Sequence, residues 1–198
     1  SEHVGGSPLN VACGLARLGH GTRFGGWWGT DEYGRAIETH AEAHGVELLP
    51  GCAAAARTST ALARLDAAGH ADYEFDLDWQ LPPLPGLDDV QHLHTGSIAT
   101  TLPPGADTVL AAARAVAGRG SFSYDPNCRP AIMGGPAAVL DRVGGLVGLA
   151  DLVKASDEDL AWLFPGEPVE SVVQRWLETG AGLVVITRGA SGASGWLP

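Results

Sequence analysis

A chain of 198 residues with 45% hydrophobic and 18% charged residues can bury a sizeable core, which excludes general disorder. Lys plus Arg number 12 and Asp plus Glu 23, a net charge of −11 that argues against nucleic acid and anionic lipid as partners. No apolar run approaches the roughly 20 residues of a membrane span, no signal-peptide pattern opens the sequence, and Cys13, Cys52 and Cys128 form no CxxC. Reduced thiols in a cytoplasmic protein are the expectation.

In chain order, Ser7-Pro8 and the apolar run to Leu18 predict a helix. Ser7 is expected as its N-cap and Gly19 as its stop, and its near-continuous apolarity predicts burial all round. Phe24 to Gly29 reads as a short β-run and Glu32 to His44 as a helix closed by Gly45. Arg57 to Leu65 and Ala71 to Asp76 alternate as two strands of a hairpin, with Asp66-Ala-Ala-Gly69 as the turn. Leu81 to Leu87 is proline-rich but too short to separate domains, so one domain over 1–198 is expected.

Beyond it, Val90–Thr95, Ser121–Asp125, Leu152–Ala155 and Leu183–Thr187 read as strands with helical patterns between them. Val109, Leu110, Ala113 and Val116 share one helix face, and Val139, Leu140, Val143 and Val147 another. Such alternation implies an α/β fold with a mostly parallel sheet flanked by helices. Ligands then sit beyond the carboxyl ends of the strands, in the loops after Thr95, Asp125, Ala155 and Thr187.

Several chemistries are excluded. No GxGxxG follows a strand, and the only lysine, Lys154, lies outside any Walker A pattern. No GxSxG elbow occurs. His40-Ala-Glu-Ala-His44 puts two imidazoles one helical turn apart, but Ala41 stands where a zincin needs its glutamate, so a solvated helix face is favoured over a metal site. His92 and His94 are read as packing residues on opposite sides of a strand.

The strongest signal is Gly5-Gly6-Ser7-Pro8-Leu9-Asn10-Val11-Ala12, followed by Gly19 and Gly29. Paired glycines admit a ligand close to the backbone, and Asn10 offers donors and an acceptor suited to neutral hydroxyls. The pattern resembles the first signature of the PfkB/ribokinase family of carbohydrate kinases. Gly29-Thr-Asp31-Glu-Tyr-Gly34 is similar to that family's glycine-rich G-x-D-x-x-G, and Arg57-Thr-Ser-Thr-Ala61 to the start of its β lid. His94-Thr-Gly-Ser97 resembles a sugar-cleft strand end, and Asp125-Pro-Asn-Cys-Arg129-Pro the DPNxR stretch of the fructokinase and 2-keto-3-deoxygluconate kinase branch. Val153 to Leu160 resembles the NxxE segment, with Ser156 and Asp159 in place of Asn and Glu, and Thr187-Arg-Gly189 with Gly192 the nucleotide-binding turn.

The resemblance implies a ribokinase-like fold with a small β lid at about 57–76, and ATP-dependent phosphorylation of a sugar hydroxyl, fructokinase-like, with Mg²⁺. A 2-keto-3-deoxygluconate kinase, a ribokinase and a non-catalytic sugar- or nucleoside-binding protein are the alternatives. It implies sugar contacts from Gly5, Gly6, Asn10, Gly96, Asp125, Asn127 and Arg129. Nucleotide contacts are implied for Lys154, Ser156, Thr187, Gly189 and Gly192, and a metal role for Asp159. The Gly-Ala-Gly-Asp motif that carries the family's catalytic base does not occur in the sequence and is expected beyond Pro198. The first family strand is expected before Ser1. These residues alone are therefore expected to be inactive and poorly soluble. A homodimer is expected through the lid, whose Thr58, Thr60, Leu62, Tyr73 and Phe75 are read as its exposed face.

Overall fold

The computed structural model describes residues 2–65 and 71–198, with backbone alone at 63–65 and 71–73. Contacts divide the chain into two compact units, Ser1–Leu84 and Pro85–Pro198. The division falls inside the proline stretch, which the sequence reading judged too short to separate domains. Sparse contact across a boundary, and not linker length, is what separates units.

The first unit opens with α1 (Ser7–Arg17), β1 (Thr22–Phe24), α2 (Glu32–Ala43) and β2 (Val46–Leu48). Gly6 is the N-cap of α1, at φ 110°, and Ser7 is already helical and makes no cap bond. Its burial is one-sided: Leu9, Ala12 and Cys13 are buried, whereas Asn10, Gly14 and Arg17 are exposed. The expectation of burial all round is corrected, because the alanines and glycines that make this helix read as apolar are too small to require it. β1 pairs in parallel with β2, Phe24 opposite Leu48. The run from Phe24 to Gly29 is not one strand. The strand ends at Phe24, and the chain runs on beside residues 49–55, with Trp28 N–H donating to Cys52 O and Gly29 making a separate parallel bridge to Ala55.

The hairpin forms from β3 (Thr60–Leu65) and β4 (Ala71–Asp76), antiparallel with Thr60 opposite Asp76. Its predicted turn lies outside the described residues. β3 starts at Thr60 because the backbone N–H of Thr58 donates to Asp31 Oδ2 at 2.8 Å and Ser59 Oγ binds Asp78 O at 2.9 Å. Thr58 is buried and so leaves the exposed face expected of it, while Leu62 is 52% exposed.

The second unit runs β5 (His92–Gly96), α3 (Gly105–Val116), β6 (Ser121–Asp125), α4 (Pro130–Met133) and α5 (Leu140–Val147). It continues with β7 (Leu152–Ser156), α6 (Asp157–Leu163), α7 (Val169–Thr179), β8 (Leu183–Thr187) and β9 (Ala193–Trp196). The sheet order is β5-β6-β7-β8-β9, parallel throughout except for antiparallel β9. β9 escapes the sequence reading because Ala193-Ser-Gly-Trp196 carries no β-branched residue; pairing with β8 alone makes it a strand. Phe122, Val153, Val184 and Ile186 are fully buried on the sheet, packed with Val143, Leu146 and Val147 of α5 and Val172, Val173 and Trp176 of α7. The helix faces read from the sequence therefore meet the core as expected, with Val139 capping α5.

His92 and His94 do not face opposite sides. Residues two apart on a strand share a face, and His92 Nε2 and His94 Nδ1 both lie 2.8 Å from Ser123 Oγ. Burial, with His92 and Lys154 nearby, pushes His94 down to about 4, so its ring is neutral at neutral pH. Among the described residues no helix is long and apolar enough to cross a membrane.

Candidate active site

In the first unit the loop Gly5-Gly6 delivers the chain to α1, and Asn10 N–H donates to Gly6 O at 3.0 Å in the first turn. A Cβ at Gly5 or Gly6 would meet nothing within 4 Å, and Asn10 is exposed. Packing against protein therefore does not account for these glycines, although φ 110° at Gly6 favours glycine by itself.

The G-x-D-x-x-G stretch builds a clamp. Asp31 caps α2 by accepting from Gly34 N–H at 2.9 Å, and it accepts from Thr58 Oγ1 at 2.6 Å as well as from the Thr58 backbone. Thr58 Oγ1 in turn accepts from Gly29 N–H at 3.0 Å. The Thr58 hydroxyl first, then the Thr58 and Gly34 amides, hold the Asp31 carboxyl down at about 2. Gly34 must be glycine, since a Cβ there would lie 1.8 Å from Gly29 O. This fastens the segment entering the hairpin to the start of α2. The motif is legible in the sequence; its partner Thr58 is not.

The second unit gathers its candidates at the carboxyl ends of the parallel strands, where such folds bind ligands. Register sets Gly96 beside Asp125 and Ser156 beside Thr187. Because Tyr124 pairs with Val153, Asp125 and Lys154 follow side by side, and Lys154 Nζ donates to Asp125 Oδ2 at 3.1 Å. Asp125 is the more enclosed partner, with side-chain exposures of 13% against 39% for Lys154. Burial raises the Asp125 carboxyl above its ordinary range; Lys154 opposes that shift and Asp159 adds to it.

The loop after β6 is tightly organised. Asn127 N–H donates to Asp125 Oδ1 at 3.1 Å, and Ser97 Oγ donates to Asn127 O at 3.0 Å. Asn127 (φ 37°) and Ser97 (φ 56°) are the described non-glycine residues in the left-handed region. Strain of this kind, of order 1–3 kcal/mol each, tends to collect at functional sites. Ser97 thus joins the candidate site residues, and its sequence position after Gly96 could have flagged it. Arg129 is exposed, and its Nη1 donates to the loop's own carbonyls, Cys128 O at 2.7 Å and Asn127 O at 3.2 Å.

Asp159 is buried and reciprocates with Ser156 in a capping box. Ser156 N–H donates to its Oδ2 at 2.8 Å, and Cys128 N–H to its Oδ1 at 2.7 Å. Both oxygens are thereby committed to backbone, tying the β6 loop to the end of β7. Burial and the neighbouring Asp159 push the Cys128 thiol up to about 12, which keeps it protonated and unreactive. Beyond β8, Gly189 (φ 50°) and Gly192 (φ 86°) shape a tight turn closed by Arg188 N–H to Gly192 O at 2.8 Å. A Cβ at either glycine would meet nothing within 4 Å, so this turn has room for a ligand's phosphates against its backbone. The structure therefore brings together Gly96, Asp125, Asn127, Lys154, Ser156, Asp159 and Thr187, with Gly189 and Gly192 in the adjoining turn. Gly5, Gly6 and Asn10 belong to the other unit.

A pfkB family carbohydrate kinase model matches residues 1–195. The chain is 34% identical over 203 residues to a fructokinase of Rhizobium leguminosarum bv. trifolii, covering 99% of this chain and 62% of that protein. It thus spans less than two thirds of that relative's length. The crystal structure of an apo fructokinase from Vibrio cholerae O395 superposes with a TM-score of 0.82 at 32% identity, covering 98% of this chain and 69% of that one. The same enzyme in its fructose, ADP and calcium ion bound form gives 0.81 at 31% identity over 98% and 66%. With α/β units around a mostly parallel sheet and a family match over nearly every residue, the chain belongs to the pfkB family of carbohydrate kinases.

Proposed function

We propose that this chain contributes the sugar floor and part of the nucleotide side of an ATP-dependent sugar kinase acting on a ketohexose, fructose first. The observation that carries the reading is the polar constellation at the ends of β5 to β8, centred on the Lys154–Asp125 pair and the strained Asn127. The likeness to a fructokinase whose solved form holds fructose and ADP supports the same reading.

In the reaction, a sugar hydroxyl gives up its proton as its oxygen attacks the γ-phosphorus of ATP, and the bond from that phosphorus to ADP breaks. Gly5, Gly6 and Asn10 bind and orient the sugar. Gly96 and Asn127 wall the cleft end of the sheet, and Arg129 offers a planar fork to phosphoryl oxygens. Lys154 supplies positive charge toward the phosphates, while Ser156, Thr187, Gly189 and Gly192 hold the nucleotide. Mg²⁺ bound there would supply shielding of phosphate charge, and this ion characteristically retains several waters. Asp159, with both oxygens bonded to amides, suits contact with that water shell better than direct ligation. Asp125 is bound to Lys154, so neither carboxylate is assigned as the base. That role goes to the aspartate of the family's Gly-Ala-Gly-Asp motif, which is not among these residues.

Initial rates with fructose, ribose, 2-keto-3-deoxygluconate and adenosine, coupled to ADP release and measured on the full-length protein that carries the Gly-Ala-Gly-Asp aspartate, test the substrate class. Fructose is expected to show the highest kcat/KM. Asn10→Ala is expected to cost about 1–3 kcal/mol of transition-state stabilisation, a roughly 5- to 150-fold drop in kcat/KM. An unchanged value would remove Asn10 from the site.

The same reading places the protein in the cytoplasm, in keeping with three free, buried thiols. It also has hairpin β3–β4 cover the sugar and pair with its equivalent in a second copy. Two strands alone are marginal in water, and Leu62 stands 52% exposed on them. Light scattering at micromolar concentration should give the mass of a dimer; a monomer's mass would count against the pairing.

A further inference from the structure

Starting one turn along α1 from Asn10, a second cluster has no part in the proposed reaction. Two i, i+4 pairs come together: Cys13 and Arg17 of α1, and His40 in the last turn of α2 with His44 at its C-cap. The ligand atoms of Cys13, His40 and His44 all lie within 4.8 Å of one another, with Cys13 buried and both histidines half-buried. The two imidazole rings stand 4.3 Å apart, centroid to centroid.

The hydrogen bonds fix the state of His44. Arg17 Nη2 lies 2.6 Å from His44 Nε2, and His44 Nδ1 lies 2.7 Å from His40 O. A guanidinium only donates and a carbonyl only accepts. His44 is therefore the neutral tautomer with its proton on Nδ1 and its Nε2 lone pair directed at a cation. A backbone carbonyl that holds the distal N–H is the usual device for orienting a metal-binding imidazole. Arg17 donates to the same His44 nitrogen that a metal would take.

We propose that Cys13 Sγ, His40 and His44 Nε2 form a binding site for a zinc-like divalent cation, with the Arg17 guanidinium as its removable stand-in. One thiolate and two imidazoles suit Zn²⁺ and disfavour Mg²⁺ and Ca²⁺, which take oxygen ligands. Bonds of about 2.0–2.3 Å in tetrahedral geometry place ligand atoms roughly 3.3–3.8 Å apart. Side-chain rotation closes the gap from the observed separations. On binding, Arg17 swings to solvent from the exposed end of α1, the Cys13 thiol releases its proton to water, and a water completes the fourth position. The cation then clips α1 to α2. Sequence spacing alone favours a solvated face for His40 and His44; the buried thiol from the neighbouring helix is what changes the reading.

Titration of the purified protein with Co²⁺, a coloured substitute for Zn²⁺, tests the site. One Co²⁺ per chain is expected, with tetrahedral ligand-field bands and a thiolate-to-metal charge-transfer band, displaced by Zn²⁺ and not by excess Mg²⁺. Cys13→Ser should abolish the charge-transfer band, and His44→Gln should weaken binding at least about tenfold. Arg17→Gln removes a competing donor and a repelling charge, so it should tighten binding by about 2- to 5-fold. Melting curves without metal establish that each variant is folded, and Arg17→Gln, at an exposed position, provides the test if the buried Cys13 position tolerates no change. Absence of the charge-transfer band in the wild type, or Co²⁺ affinity unmoved by His44→Gln and Arg17→Gln, overturns the proposal.

Discussion

Replacing Gly96 by alanine is expected to destabilise the protein by about 3 kcal/mol or more, enough to unfold the second unit under mild denaturant. A Cβ at this position would sit 2.0 Å from Asp125 O and 3.0 Å from its carbonyl carbon. The obstacle is the backbone of the adjacent parallel strand, which no side-chain rotation can remove. Moving it would also shift Asp125 and the Ser97–Asn127 contact. Gly5→Ala is the control. Open space surrounds that position, and its stability should stay within about 0.5 kcal/mol of the wild type. Urea unfolding of both variants checks the contrast, and equal stability for the two would show that the approach of β5 to β6 is not as close as described.

Lys154→Met should lower stability at neutral pH by about 1–3 kcal/mol. Breaking a fully buried ion pair costs more, but Lys154 is 39% exposed and water already screens part of the interaction. The sign of the pH dependence follows from Asp125. Its carboxyl is raised in the folded protein, with burial as the largest cause and Lys154 opposing. A raised carboxyl means the native state holds the proton more tightly than the unfolded chain. Stability therefore falls as pH rises from the unfolded value through the folded one. Removing Lys154 raises the folded value further, so the deficit should be small below the ordinary carboxylate range and grow toward neutrality. Denaturant midpoints for both proteins at pH 4 and pH 7 decide it. A deficit that does not change with pH would mean that Lys154 contributes packing and not charge.

Much of the second unit is legible in the amino-acid order. Apolar runs bounded by turn residues fix the strands at Ser121–Asp125 and Leu183–Thr187, and the helical faces of α3 and α5 follow from spacing. Their alternation suffices for a parallel sheet, and the glycine and asparagine positions suffice to locate the loops that carry the candidate residues. These are local properties, set by propensity, periodicity and the few residues that tolerate special backbone angles.

What the sequence does not contain is which distant groups meet. That Lys154 pairs with Asp125, that Asp159 spends both oxygens on amides, and that Thr58 locks onto Asp31 depend on strand register and loop closure across 27 to 31 residues. His92 and His94 share Ser123 only because β5 and β6 align as they do. Cys13 reaches His40 and His44 only because α1 packs beside α2. Each such contact is decided by the burial of many apolar side chains at once, and the polar groups then take the partners that this packing leaves within reach.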